Sequence, residues 1–126
     1  MKLSIIIPVY NEKSTIRQLL EKVTSLDIEK EIIIIDDSST DGTREILGST
    51  PNVNNYKILY HEKNHGKGRA IRTGLAEATG DYTVIQDADL EYDPQDLVKT
   101  FSYIRANNLE VLYGSRRLNK DNEKYA

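Results

Sequence analysis

The chain is 126 residues long, with 17 Lys+Arg against 20 Asp+Glu and a formal net charge of −3, enough for one domain that buries roughly two-thirds of its unfolded surface. That mild acidity argues against nucleic acid as the main partner, since a protein that tracks phosphates needs a basic face. The absence of cysteine excludes disulfides, thiolate metal sites and a Cys nucleophile, and no apolar run approaches the ~20 residues of a membrane-spanning helix.

Leu3–Val9 is apolar apart from Ser4, the pattern of a strand covered on both faces. Its apolar stretch stops at Asn11-Glu12 without a small-residue cleavage site. It therefore reads as a strand and not as a signal peptide, and the expected location is the cytoplasm. Within Ser14–Leu26, residues Ile16, Leu19, Leu20, Val23 and Leu26 form one helical stripe. Ile32–Ile35 is a second buried strand, closed by Asp36-Asp37-Ser38-Ser39-Thr40-Asp41-Gly42 ahead of a helix near Thr43–Leu47. Ser49–Asn55 is a polar loop and Tyr56–His61 a third strand. Gly66–Ala78 carries a stripe through Ala70, Ile71, Leu75 and Ala78, with Gly80 placed to cap its end. Tyr82–Gln86 is a fourth strand. Pro94 starts a helix whose core side holds Leu97, Phe101 and Ile104, and Glu110–Tyr113 is a fifth strand. Asn119–Ala126 is a polar tail.

This β-α-β-α-β-α-β-α-β order keeps one rhythm, without internal boundary or repeat. It predicts a Rossmann-like α/β fold, a mostly parallel sheet with helices on both faces. Parallel strands joined by right-handed crossovers open their C-terminal ends on one edge, where ligands of such sheets bind. The strand ends here carry Tyr10-Asn11-Glu12, Asp36-Asp37, Asp87-Ala88-Asp89 and Gly114-Ser115-Arg116, so the polar residues converge on one rim.

Asp87 and Asp89, at i and i+2 where a strand leaves the sheet, can face one hard cation, with Glu91 two residues on. Oxygen ligands select Mg²⁺ or Mn²⁺ over zinc. The competing reading is a solvated acidic turn. A calcium loop is excluded because Tyr92 stands where its glycine belongs and Val98 at its twelfth position. Asp36-Asp37 reads either as an acceptor for a nucleobase N–H or a ribose hydroxyl, or as a cap for the next helix with Asp41 favoured by the helix dipole. His65-Gly66-Lys67-Gly68-Arg69 opens a helix, and its glycines permit close approach of an anion. It is neither a P-loop nor a dinucleotide fingerprint, since Gly68 and Ile71 occupy the deciding positions. His61 and His65 lack metal-ligand spacing with a third partner. Tyr10, at a strand end, is a base-stacking candidate.

Together, Pro8-Val9-Tyr10-Asn11-Glu12, Asp36 to Thr43, Asn64-His65-Gly66-Lys67-Gly68, Gly80-Asp81, Asp87 to Pro94 and Tyr113-Gly114-Ser115-Arg116 resemble the N-terminal, donor-binding half of a family-2 glycosyltransferase of GT-A fold. The wording is most similar to the dolichyl-phosphate mannosyltransferase and polyprenyl-phosphate glycosyltransferase branch. The resemblance implies that Pro8, Tyr10 and Glu12 line the nucleotide pocket, with Ile35 and Asp37 at base and ribose and Ala88 beside them. It implies Asp87 and Asp89 as metal ligands for Mg²⁺ or Mn²⁺, Glu91 as a further or water-mediated ligand, and Lys67 and Arg116 facing phosphate. The implied reaction is inverting transfer from a UDP- or GDP-sugar to a polyprenyl phosphate or, as an alternative, a saccharide hydroxyl, at the cytoplasmic face of a membrane. A hydroxyl acceptor needs a general base, whereas a lipid phosphate is already anionic. Family members continue past the Gly-Ser-Arg segment into the half that carries acceptor contacts and the base. Residues 1–118 are therefore read as a truncated donor-binding domain and 119–126 as its tail, with no base assigned; Asp93 is the nearest substitute. Apolar surface left uncovered in such a half implies self-association.

Two rivals frame the expectation. A receiver domain of two-component signalling has this length and rhythm. It would need an acidic pair after the first strand, an Asp after the third and a Lys after the fifth. The strand ends Pro8-Val9-Tyr10, Tyr60-His61 and Tyr113-Gly114-Ser115 fail at all three places. A nucleotide-binding module that transfers no sugar stays open.

Overall fold

A computed structural model describes residues 2–49, 56–88 and 99. The chain alternates β1 (Leu3–Val9), α1 (Ile16–Thr24), β2 (Lys30–Asp36), α2 (Thr43–Ser49), β3 (Tyr56–Tyr60), α3 (Lys67–Glu77) and β4 (Tyr82–Ile85). The strands form one sheet in the order β3-β2-β1-β4, every pairing parallel. This is the expected Rossmann-like α/β arrangement. Element ends differ from the sequence patterns by one or two residues. α1 starts at Ile16 because the Glu12 carbonyl accepts from both Thr15 N–H (3.1 Å) and Ile16 N–H (2.9 Å), spending Ser14 and Thr15 on the entry turn. The helix expected from Pro94, the strand expected at Glu110–Tyr113 and the tail from Asn119 lie outside the described residues.

Side-chain alternation along the strands sorts the core into two layers. Leu3, Ile5, Ile7 and Val9 of β1, Ile32 and Ile34 of β2 and Tyr82 and Val84 of β4 pack with Ile16, Leu19, Leu20 and Val23 of α1 and Leu47 of α2. Ile6, Ile33, Ile35 and Ile85 pack on the other face with Ala70 and Ile71 of α3. Burial on both faces is why β1, apart from Ser4, and Ile32–Ile35 of β2 read as apolar runs. α3 lies close to the sheet at Gly74, where a Cβ would stand 2.6 Å from Ile6 Cγ2 and 2.8 Å from Ile35 Cδ1.

Gly80 does not cap α3 through a left-handed turn. The helix ends into Ala78 in extended conformation (φ −69°, ψ 132°). Gly80 is instead a packing glycine, since a Cβ there would meet Ser4 Oγ at 2.6 Å and the Lys2 carbonyl at 2.8 Å. Its N–H donates to Ser4 Oγ (2.8 Å), and the Ser4 hydroxyl donates to Glu31. Thr79 N–H also donates to the Glu31 carboxylate at 2.5 Å. This network ties the α3–β4 turn beneath β1 and β2, at the edge opposite the rim.

Candidate functional site

β1 and β2 run outward from the start of the chain, and β4 returns to the other side of β1. The order of the sheet therefore reverses between β1 and β4, and the strand C-terminal ends at such a switch point are where open parallel sheets bind ligands. The alternation that sorts the core also sorts the residues on this rim. On β2, even positions face α1 and α2 and odd positions face α3. Asp36 accordingly turns to α2, where its Oδ2 accepts from Arg44 Nε at 2.6 Å and Ser39 N–H at 3.2 Å. Arg44 also donates to the His61 carbonyl (2.8 Å) and lies 4.9 Å above the Tyr60 ring. Asp37 turns to the α3 side.

The Asp37 carboxylate is 3% exposed. Its Oδ1 accepts from His61 Nδ1 (2.8 Å) and His65 N–H (2.9 Å), and its Oδ2 from Gly66 N–H (2.8 Å). Burial alone would raise its pKa, but the bonds from His65 N–H, His61 and Gly66 N–H outweigh burial and hold it below the ordinary carboxylate value. His61 Nε2 lies 2.9 Å from Thr73 Oγ1 on α3, so this imidazole joins the ends of β2 and β3 to the helix. Gly66 has φ +90°, a conformation that side chains resist. It lets the chain turn over Asp37 and enter α3, which no side chain caps. Lys67, the first residue of α3, then reaches across to β4. Its Nζ meets Asp87 Oδ1 at 2.5 Å, with the Lys67 side chain 44% and the Asp87 side chain 17% exposed.

The β1–α1 loop closes the other wall. Tyr10 is 46% exposed. Asn11, at φ +53°, donates its N–H to Ser39 Oγ (2.9 Å) and accepts from Thr40 N–H (2.8 Å). Glu12 N–H donates to Thr43 Oγ1 at 3.0 Å. The Thr15 hydroxyl donates to the Ala88 carbonyl at 2.8 Å and lies 3.1 Å from Glu12 Oε2. Asp41 caps α2, its Oδ1 accepting from Thr43 N–H at 3.0 Å and from the Thr43 hydroxyl. Slight burial opposes, and these bonds outweigh it, so the Asp41 pKa is also lowered.

Tyr10, Glu12, Asp37, Lys67, Asp87 and Ala88 thus stand on one edge, linked by contacts from Ala88 through Thr15 and from Asp87 through Lys67 and Gly66 to Asp37. Pro8 sits half-buried in β1 opposite Ile35. Ile35 is fully buried in the α3-side core. Asp89, Glu91, Asp93 and Arg116 lie outside the described residues. Among the described residues no group of three His, Cys, Asp or Glu could hold a metal ion. Asp87 is the described member of the expected ligand set, and the Lys67 ammonium stands against its oxygen, so the position accepts positive charge. The sequence reading missed Arg44 and His61 as partners of the acidic pair, and Thr73 behind His61.

The model of the family described as Glycosyl transferase family 2 matches residues 4–125. The chain belongs to glycosyl transferase family 2. Its family-2 relatives include a dolichol-phosphate mannosyltransferase of Pyrococcus furiosus, 33% identical over 118 residues, which cover 92% of this chain and 33% of the relative. Among solved structures, S. aureus TarS 1–349 in complex with UDP-GlcNAc superposes with a TM-score of 0.74 at 30% identity, over 86% of this chain and 32% of that one. The mannosyltransferase PcManGT from Pyrobaculum calidifontis, in complex with GDP-Man and Mn2+, superposes with a TM-score of 0.69 at 28% identity, over 81% of this chain and 32% of that one. The chain thus spans about a third of the length of the curated relative. Among the described residues no helix is long and apolar enough to cross a membrane.

Proposed function

We propose that the rim binds the nucleoside diphosphate of a UDP- or GDP-sugar with a divalent cation, Mg²⁺ or Mn²⁺, and that this donor serves inverting transfer to a polyprenyl phosphate. One observation carries the reading: Asp37, Gly66, Lys67 and Asp87 are joined in a continuous chain of contacts that runs from the end of β2 across β1 to the end of β4. It spans the switch point between β1 and β4, where open parallel sheets bind ligands. Tyr10 offers an exposed ring for the base. Asp37, with three donors already on its two oxygens, has one lone pair to spare for a base or ribose N–H or O–H. Its larger effect is to fix the loop that delivers Lys67. The GDP-Man and Mn2+ held by the Pyrobaculum mannosyltransferase and the UDP-GlcNAc held by TarS support the ligand class. The dolichol-phosphate relative supports the acceptor.

Asp87 would hold the cation together with Asp89 and Glu91, and carboxylate oxygens suit a hard divalent ion. When bound, such an ion neutralises the charge that develops on the leaving diphosphate. Lys67 at the uncapped start of α3 adds a second positive group on the same side, which favours the departing anion. A phosphate acceptor arrives ionised, so no residue of this rim need remove its proton.

The test is a thermal-shift panel of UDP, GDP and their sugars with and without Mn²⁺, followed by transfer to a polyprenyl phosphate. The expected result is a shift with nucleoside diphosphates that grows with Mn²⁺, and lipid-linked sugar as product. Equal shifts with ATP, UDP and GDP and no metal response would refute the reading. Donor binding without transfer would refute its catalytic part.

A further inference from the structure

The Lys67–Asp87 contact bears on how metal and donor binding are coupled, an inference that rests on the function proposed above. We infer that Lys67 is the built-in counter-cation of Asp87, and that its transfer from Asp87 to the donor diphosphate makes metal and nucleotide binding mutually dependent.

The geometry supplies each part. Lys67 Nζ sits on Asp87 Oδ1 at 2.5 Å, so that oxygen already has a full positive charge against it. Strand alternation brings Asp87 to this place, and the start of α3 brings Lys67 to the same face. Asp87 follows Ile85 on the α3 face of β4, and Lys67 begins the helix on that same face. The backbone of Lys67 cannot withdraw, because Gly66 beside it is held by Asp37 Oδ2 at 2.8 Å and by Asn64 Oδ1 at 3.0 Å. The side chain can, being 44% exposed and attached through a flexible stem.

Two exchanges are therefore open. A divalent cation that takes Asp87 must either displace Lys67 or sit beside its positive charge. With no anion present, the displaced ammonium stays close to that cation and repels it. A nucleoside diphosphate gives Lys67 a new partner, through charge-assisted bonds stronger than those between neutral groups. Charge balances in both states: one carboxylate with one ammonium before loading, and carboxylate with cation and ammonium with diphosphate after it. Each ligand thereby raises the affinity of the other by the same factor. The charge of Lys67 thus sets the coupling.

The experiment measures Mn²⁺ affinity from the electron paramagnetic resonance signal of free Mn²⁺. It uses the 126-residue chain, alone and saturated with UDP or GDP, in parent, Lys67→Met and Lys67→Gln. Lys67→Met should bind Mn²⁺ alone more tightly by about fivefold, the lower end of ordinary coupling between sites. Its metal-free affinity for UDP or GDP should fall, and the gain in Mn²⁺ affinity on adding nucleotide should shrink by the same factor. Lys67→Gln should follow it. Lys63→Met, an exposed lysine on the preceding loop, controls for net charge and should change Mn²⁺ affinity by less than about twofold because exposed charges are screened. Mn²⁺ affinity unchanged or weakened in Lys67→Met, or raised equally in Lys63→Met, overturns the inference while leaving the proposed function standing. A parent that binds nucleotide with no response to Mn²⁺ removes the function and the inference together.

Discussion

Asp37→Asn tests whether one buried carboxylate organises the rim. Asparagine keeps an oxygen for the His61 and His65 donors, but turns an NH₂ group toward Gly66 N–H, donor against donor. A hydrogen bond to a charged group contributes about 1.5–3 kcal/mol and one between neutral groups about 0.5–1.5 kcal/mol. The substitution removes one charge-assisted bond and weakens two, a gross loss of about 3.5–6 kcal/mol. Asn64 Oδ1, which already accepts from the same Gly66 N–H at 3.0 Å, keeps that donor from being stranded. The expected net loss is about 3–5 kcal/mol, a large share of the ~5–15 kcal/mol that holds a domain folded. The loss has a pH signature. Because the folded pKa of Asp37 is lowered, its stabilisation is complete above the unfolded carboxylate value of ~3.9 and disappears as pH falls through the folded value. Below the unfolded value, the unfolded chain binds the extra proton and stability declines. Urea unfolding followed by circular dichroism should show the full parent–variant gap at pH ~7 and a smaller one below pH ~4. A variant within ~0.5 kcal/mol of the parent at neutral pH, or a gap that ignores acidification, would refute the reasoning.

Gly74→Ala gains about 1 kcal/mol of helix propensity. It also drives a Cβ to 2.6 Å from Ile6 Cγ2, and overpacking of this kind costs about 1–3 kcal/mol. Because that methyl is fixed on a β-branched strand residue, the cost wins; urea unfolding should show a net loss of about 1 kcal/mol, and a stabilised variant would contradict the packing described. Tyr10→Ala should leave stability almost unchanged, since the ring is 46% exposed. It should weaken UDP or GDP binding by roughly tenfold, as loss of one base–aromatic stack does; calorimetry giving equal affinities would remove Tyr10 from the pocket.

The fold was legible because its signals are physical necessities. β1 and the middle of β2 must be apolar wherever a buried side chain lacks a partner such as Ser4 has in Glu31, and α1 must show a stripe. The ends of β2 were not legible, since Lys30, Glu31 and Asp36 extend it through pairing with β1 and not through hydrophobicity. At the rim, the acidic pair after β2 and the residues after β4 announced themselves by charge at strand ends. Their partners did not. Arg44 reaches Asp36 from eight residues along the chain, and His61 bonds Asp37 from just past the end of β3. Only the alternation of faces, with even positions of β2 and β3 toward α2 and odd ones toward α3, would have paired Asp36 and Tyr60 with Arg44 and Asp37 with His61. Gly80 misled because a glycine required for close packing and one required for a left-handed cap look alike in sequence.

The account stands on Asp87 as the carboxylate that brings metal and diphosphate to the switch point of the sheet. Calorimetric titration of UDP and GDP into the parent and Asp87→Ala, each with and without Mn²⁺, tests it most directly. The parent should bind at least about tenfold more tightly with Mn²⁺ than without it, and Asp87→Ala should lose that gain while keeping its far-ultraviolet circular dichroism. An Asp87→Ala variant with the same Mn²⁺-dependent gain as the parent would contradict the account.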